Sequence, residues 1–225
     1  MRVVDLSHAI APGMPVWPGS KGPESTPLAT IGRDGFAERR LCFSSHAGTH
    51  LDAPSHLFDD GKELDGYEAG WFVGKALVVD VSTAAGGIIG PGLLEPWLGR
   101  IPADGYLLLR SGWSRFWGSA AYDSGYPVLD TTMADALAGI PFRGVGIDCP
   151  SFDLPDSSDL PVHRRLLGSG LLLVENLTEL HRLPDSGFTF SALPLPFRDA
   201  EACPVRAVAL LWPPYDAAGE LFSGH

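Results

Sequence analysis

Three histidines and an aspartate fall within eleven residues of the stretch "LCFSSHAGTHLDAPSHLF": His46, His50, Asp52 and His56. They are separated by even offsets, so on an extended strand all four side chains would share one face. A helix would bring together only His46 and His50. Gly48 disfavours that helix and Pro54 opposes its continuation, and Ala47 stands where HExxH needs its glutamate. The spacing therefore predicts a buried strand ending in a tight Gly48-Thr49 bend. Neutral imidazole nitrogen and carboxylate oxygen are good ligands for Zn²⁺ and similar divalent ions. Two histidines plus an aspartate make an open three-ligand set with room for water, and His56, slightly farther on, is then free to move protons. The competing account treats these histidines as ordinary hydrogen-bonded residues. It requires three imidazoles and a carboxylate to coincide by chance.

Two further groups extend the pattern. In "LPVHRRLLGSGLLLVENL", His163 sits in an expected first helical turn and Glu175 ends an apolar strand. A carboxylate at the tip of a buried run needs a cation or donors. If His163 and Glu175 hold a second ion and Asp52 bridges, the charges of the cluster nearly compensate. Glu175 as a plain strand-end residue stays open on composition alone. Asp148 likewise ends "GVGID", where functional side chains emerge from a sheet into a cleft.

The elements that must position these groups are short. "RVVDLS", "RRLCFSSH", "ALVVDV", "YLLLRS", "GVGID", "GLLLVEN" and "AVALLW" predict strands, several apolar at successive positions as in strands covered on both faces. "TTMADALAGI" predicts a helix capped by Asp130 and stopping near Gly139 and Pro141. "DLPVHRRLLGSG" predicts another, with Asp159 as cap, Pro161 near its start and Gly168 as terminator. Alternation of strands and helices implies an α/β or α+β architecture in one domain. No repeat, coiled coil or low-complexity tract interrupts it.

Composition narrows the class. The chain has 225 residues, 45% hydrophobic and 19% charged, enough for a substantial core. Its 27 Gly and 20 Pro are scattered between apolar runs, which favours a loop-rich fold over a linker. A formal charge of −11 makes nucleic acid and anionic membranes poor partners. Three widely spaced cysteines, Cys42, Cys149 and Cys203, argue against a disulfide framework, and "MRVVDLSHAIAPG" lacks a signal-peptide core. No run approaches the ~20 apolar residues of a membrane span. The expectation is a cytoplasmic protein. No GxSxG elbow supports a serine nucleophile. Cys42 lies near the histidines, but a small buried thiol is the simpler account of it.

The histidine cluster resembles the central motif HxGTHxDxPxH of the cyclase or kynurenine-formamidase-type metal-dependent hydrolases, standing here as "HAGTHLDAPSH", His46 to His56. "DLSHAIAPGMPVWPG", "RSGWSRFWG", "GVGIDCPSFD", "VHRRLLGSGLLLVENLTEL" and "ALPLPFRDAEACPVRAVAL" are similar to further family segments in the usual order. The resemblance implies a single compact α/β domain over residues 1–225, with a central mixed sheet in a swivelling β/β/α arrangement, assembled as homodimers or homotetramers. It implies two divalent ions per subunit. His46, His50 and Asp52 match the ligands of the first, Asp52 bridges, and His163 and Glu175 complete the second. His56 matches the acid/base histidine, and Trp17 of "VWPG" matches an aromatic lining the substrate pocket. Ser20 follows WPG where formamidase members often carry an acidic residue, a departure that bears on the substrate.

The expected reaction is hydrolysis of a small amide, aromatic ones among the candidates, by an activated water, with His56 passing a proton to the departing nitrogen. N-formylkynurenine-like formamides lead. Isatin-type ring opening, a metal-assisted cyclase or dehydratase, and a non-catalytic metal-binding relative are the alternatives. Imidazole tilts the metal toward Zn²⁺, with Mn²⁺ also accommodated. Trp113, Trp117 and Phe58 are expected to pack in the core.

Overall fold

The computed structural model describes residues 1–84 and 87–212. The strands are β1 (Arg2–Asp5), β2 (Glu24–Ala29), β3 (Glu38–Cys42), β4 (His50–Asp52), β5 (Val73–Asp80), β6 (Ile88–Ile89) and β7 (Gly105–Arg110). Beyond them come β8 (Val128–Leu129), β9 (Gly144–Ile147), β10 (Leu172–Glu175), β11 (Thr189–Ser191), β12 (Ala202–Pro204) and β13 (Val208–Leu211). The helices are α1 (Ile31–Asp34), α2 (Pro91–Leu94), α3 (Thr131–Ala138) and α4 (Pro161–Gly168). Nine strands form one mixed sheet in the order β1-β13-β11-β5-β7-β9-β10-β4-β12. Its centre, β5-β7-β9-β10, is parallel, and its flanks are antiparallel. This is an α/β domain with a central mixed sheet, as expected.

The apolar runs divide cleanly by parity. Leu77, Val79, Leu107, Leu109, Val145 and Leu173 face a core completed by α3 and α4. Their even neighbours Val78, Tyr106, Leu108, Leu172 and Val174 face the opposite core, with Phe190. Burial on both faces explains why these strands read as continuous apolar runs instead of alternating ones. Each fully buried leucine or valine contributes about 1.5–3 kcal/mol of hydrophobic stabilisation. Phe58 and Trp113 pack against the helix-side core, whereas Trp117 stacks on His8 with ring centroids 3.9 Å apart. Burial lowers His8 to about 4, so a neutral ring makes that stack.

Several expectations are corrected. The strand expected over "RRLCFSSH" stops at Cys42 and pairs only with β2, in a two-stranded ribbon. All five residues of β3 are exposed. Cys42 is therefore an exposed free thiol, not a buried one. Arg39 and Arg40 explain the outcome, since two adjacent charged side chains occupy both faces of so short a strand. The cap of α3 is Asp130 as expected, its side chain accepting from the Thr132 amide at 2.8 Å. The cap of α4 is not Asp159. Leu160 takes that place in a left-handed conformation, φ 44°, with no side-chain cap bond. Among the described residues, no helix is long and apolar enough to cross a membrane.

Candidate metal centre

Register assembles the centre. β4 lies between β10 and β12, with Glu175 opposite His50 and Leu173 opposite Asp52. Leu51, between them, pairs with Val174 and enters the far core. His50, Asp52 and Glu175 thus share the face on which α4 packs, and α4 delivers His163. The four groups are almost wholly buried. Even parity places only His50 and Asp52. His46 precedes the strand in a turn whose Gly48 has φ 66°, a left-handed conformation costly for other residues. His56 ends a single 3₁₀ turn, Pro54–His56. All four polar groups of the motif nevertheless converge.

His50 Nε2 lies 3.5 Å from Asp52 Oδ1 and 3.4 Å from Glu175 Oε2. His163 Nε2 lies 3.1 Å from Glu175 Oε1 and 4.0 Å from Asp52 Oδ2. His46 Nδ1 is 2.9 Å from Asp52 Oδ1, and the His46 and His56 ring centroids are 4.4 Å apart. Two sets of potential ligand atoms each fall within 4.8 Å: His50, Asp52 and Glu175, and His46, Asp52 and His56. Asp52 belongs to both. Ligand atoms on one tetrahedral ion with bonds of about 2.0–2.1 Å sit about 3.3 Å apart, close to the separations here. His50 Nε2, Asp52 Oδ1 and Glu175 Oε1 are buried with ionic neighbours at 2.9–3.5 Å but with no partner aligned as a hydrogen bond. Such atoms are costly to bury unless something else engages them, so the donor set fits divalent cations.

Neighbouring groups orient the imidazoles. His50 Nδ1 donates to the Gly48 carbonyl at 2.8 Å, which leaves Nε2 turned toward the carboxylates. The same carbonyl accepts from Asn176 Nδ2 at 3.0 Å, and Tyr122 donates to Asn176 Oδ1 at 2.7 Å. His163 Nδ1 bonds Asp153 Oδ2 at 2.7 Å. The Asp153 carboxylate also accepts from the amides of Val162 and His163 at 2.9 and 3.0 Å. It therefore caps α4 from a distance and aims its histidine, the duty expected of Asp159 for the cap. Asp153, Asn176 and Glu201, whose Oε1 accepts from Ser45 and lies 3.6 Å from His46 Nε2, were not singled out by spacing. All three lie inside the family-like segments quoted above. Asp148 does not join the site: its carboxylate is occupied by Ser111 N, Ser111 Oγ and Gly112 N at 2.6–2.8 Å.

The electrostatics are those of a carboxylate-rich pocket floor. Burial alone pulls His50 down, but Asp52 and then Glu175 overturn this and raise it to about 9. Burial likewise opposes His163, while Asp153 and Glu175 raise it to about 10. Burial acts against the Asp52 charge, yet His50 and His46 hold its carboxyl well below the usual range. His56 is lowered, chiefly by burial. Above this floor opens a cavity of about 440 Å³, with Trp17 in its lining.

Buried imidazoles sharing a carboxylate at the edge of a parallel sheet, beneath an open cavity, define a metal-site α/β protein. The chain belongs to the Cyclase family, whose model matches residues 4–154. A kynurenine formamidase of Salinibacter ruber is 34% identical over 92% of this chain and 97% of its own. Isatin hydrolase A of Labrenzia aggregata, solved with benzyl benzoate bound, superposes with a TM-score of 0.84 at 28% identity, covering 93% of each chain. A predicted metal-dependent hydrolase from Bacillus stearothermophilus superposes at 0.76 with 25% identity, covering 92% of this chain and 97% of that one.

Proposed function

We propose that this protein is a metal-dependent hydrolase cleaving the C–N bond of a small aromatic amide, with an N-formylkynurenine-like aryl formamide first and an isatin-like cyclic amide second. The observation that carries the reading is Asp52, buried and common to two sets of ligand atoms beneath an open cavity. His46, His50 and Asp52 would hold one divalent ion, and Asp52, His163 and Glu175 a second, with Zn²⁺ favoured by the imidazoles and Mn²⁺ accommodated. Bound there, the ions supply Lewis acidity and a water acidified toward neutral pH. The chain's own residues do the rest. Trp17 offers an aromatic face to the substrate ring. His56, kept neutral by its lowered pKa, accepts a proton at its free imidazole nitrogen and returns it to the departing nitrogen.

The relatives named above act on a formylated and a cyclic aryl amide, as their names state, which supports this substrate class. The exposed ribbon β2-β3, with Leu28 and Leu41 on it and Ile31 and Phe36 between its strands, supports assembly into homodimers or homotetramers. Three free cysteines fit a reducing cytoplasm. Elemental analysis paired with hydrolysis of N-formylkynurenine and isatin tests the reading. Activity that disappears on chelation and returns with Zn²⁺ or Mn²⁺ supports it. Full activity after complete metal removal, or tight metal binding without hydrolysis of any amide, overturns it.

Two further results are expected. In the protein alone His50 and His163 hold protons at pH 7, because about 9 and about 10 lie above it. Metal must displace them, so binding releases up to about two protons and affinity rises from pH 7 to 9. Calorimetry in buffers of different ionisation enthalpy measures this, and a pH-independent affinity refutes it. Asp153→Asn should lower metal affinity or activity by about 10–100-fold, because a neutral amide orients His163 less firmly. Competition with a chromophoric chelator gives the affinity.

A further inference from the structure

Asn176 directly follows Glu175 and is buried. Its backbone is left-handed, φ 56°, a conformation that asparagine tolerates better than most side chains. Its backbone and side-chain groups are all engaged. The main-chain N–H donates to the Cys149 carbonyl at 3.0 Å, and the main-chain carbonyl accepts from Thr49 Oγ1 at 2.6 Å. Nδ2 donates to the Gly48 carbonyl at 3.0 Å, and Oδ1 accepts from the Tyr122 hydroxyl at 2.7 Å. Tyr122 belongs to the cavity lining, yet this contact occupies its hydroxyl. Its ring meets Trp117 nearly at right angles, with centroids 5.0 Å apart. Trp117 stacks on His8, and the His8 amide donates to Thr49 Oγ1 at 2.9 Å. Thr49 leads back to Asn176, so these contacts close a ring beside the Gly48–His50 turn.

We infer that Asn176 and Tyr122 are positioning residues for His50, forming a chain of hydrogen bonds that runs in one sense from the cavity wall to the metal-facing imidazole. The inference rests on the reading of His50 as a metal ligand and adds what holds that ligand in place. A backbone carbonyl only accepts. The Gly48 carbonyl therefore needs an N–H from each side, Nδ1–H of His50 and Nδ2–H of Asn176. With Nδ2 placed there, Oδ1 is left facing Tyr122, whose hydroxyl must donate. Each link fixes the next, and the last one keeps the His50 proton on Nδ1 and frees Nε2. Without the Tyr122 hydroxyl the amide can turn over, setting Oδ1 against the Gly48 carbonyl in place of Nδ2. Two acceptors at that distance repel, and His50 loses its fixed anchor. A glycine would suit the left-handed backbone equally well. What it would lack is the amide.

Tyr122→Phe removes the hydroxyl and keeps the ring. Asn176→Gly keeps the left-handed backbone and its two main-chain bonds and removes the amide. Both metal-free variants should retain the circular dichroism of the parent. Each should bind Zn²⁺ about 10–100-fold more weakly, by competition with a chromophoric chelator. The double variant should fall within about threefold of the weaker single one, because both act through one chain. At saturating Co²⁺ the visible absorption bands should shift in each variant, reporting altered ligand geometry independently of affinity and of turnover. Unchanged Co²⁺ bands overturn the inference even if affinity falls, since general loosening then suffices, and so do losses that multiply in the double variant. A raised KM with metal affinity and bands intact also overturns it and gives the Tyr122 hydroxyl to the substrate. A parent protein that binds no divalent metal removes the metal reading and this inference together. A parent that shows the expected metal effects but hydrolyses no amide overturns the hydrolase reading and leaves this inference standing.

Discussion

Asp52→Ala should yield a folded protein that no longer binds divalent metal and hydrolyses amides about a thousandfold more slowly. Asp52 alone belongs to both sets of potential ligands, lying 2.9 Å from His46 and 3.5 Å from His50. Removing it leaves His46, His50 and His163 with no common acceptor, so neither set keeps its charge balance. Lewis-acid stabilisation of several kcal/mol goes with the ions, and several kcal/mol corresponds to about three orders of magnitude in rate. Asp52→Asn keeps the volume and separates metal loss from collapse of the buried site. Elemental analysis and circular dichroism together decide the matter. Unchanged metal content in both variants would remove Asp52 from the centre.

His56→Ala should divide rate from metal. General acid–base groups contribute about 10²–10⁴-fold, and that factor should vanish from kcat while the ion content stays constant. The expectation is open to a specific failure. His56, His46 and Asp52 fall within 4.8 Å as a possible ligand set, so loss of metal in His56→Ala would make His56 a ligand and leave the proton transfer to another group. Added imidazole should restore part of the rate in the first case and none in the second. The acid limb of the pH–rate profile gives a second readout. His56 is lowered by burial, so activity should persist below its ordinary range and fall off only as the ring is finally protonated.

How much of this was legible beforehand depended on the length and neighbours of each segment. The parallel centre was legible because β5, β7, β9 and β10 are continuous apolar runs, and their burial on both faces accounts for the pattern. Strand β4 was not, at three residues, because no periodicity can show in so short a piece. Its importance lies in its two partners, which are remote in the chain. His46, His50, Asp52, His163 and Glu175 were legible as a constellation of residue types, and the register of β10 against β4 explains how the distant pair arrives. Asp153 escaped notice since a helix cap normally lies next to its helix. Here the carboxylate reaches back from a loop about ten residues earlier, a tertiary substitution for a local signal. The exposed strand β3 was misjudged for the opposite reason: local β propensity was real, but the main sheet had no place for it.

The placement of β4 between β10 and β12 also sets when the centre can exist. During synthesis the motif from His46 to His56 leaves the ribosome long before Glu175, and β12 follows later still. Until then the nascent motif is a solvated imidazole–carboxylate segment without the geometric part of its selectivity among divalent ions. The centre is therefore completed only when strand pairs more than a hundred residues apart in the chain close, and such long-range contacts are slow to form. A metal that reaches the chain before β10 and β12 are in place meets only the motif, without Glu175 beside it.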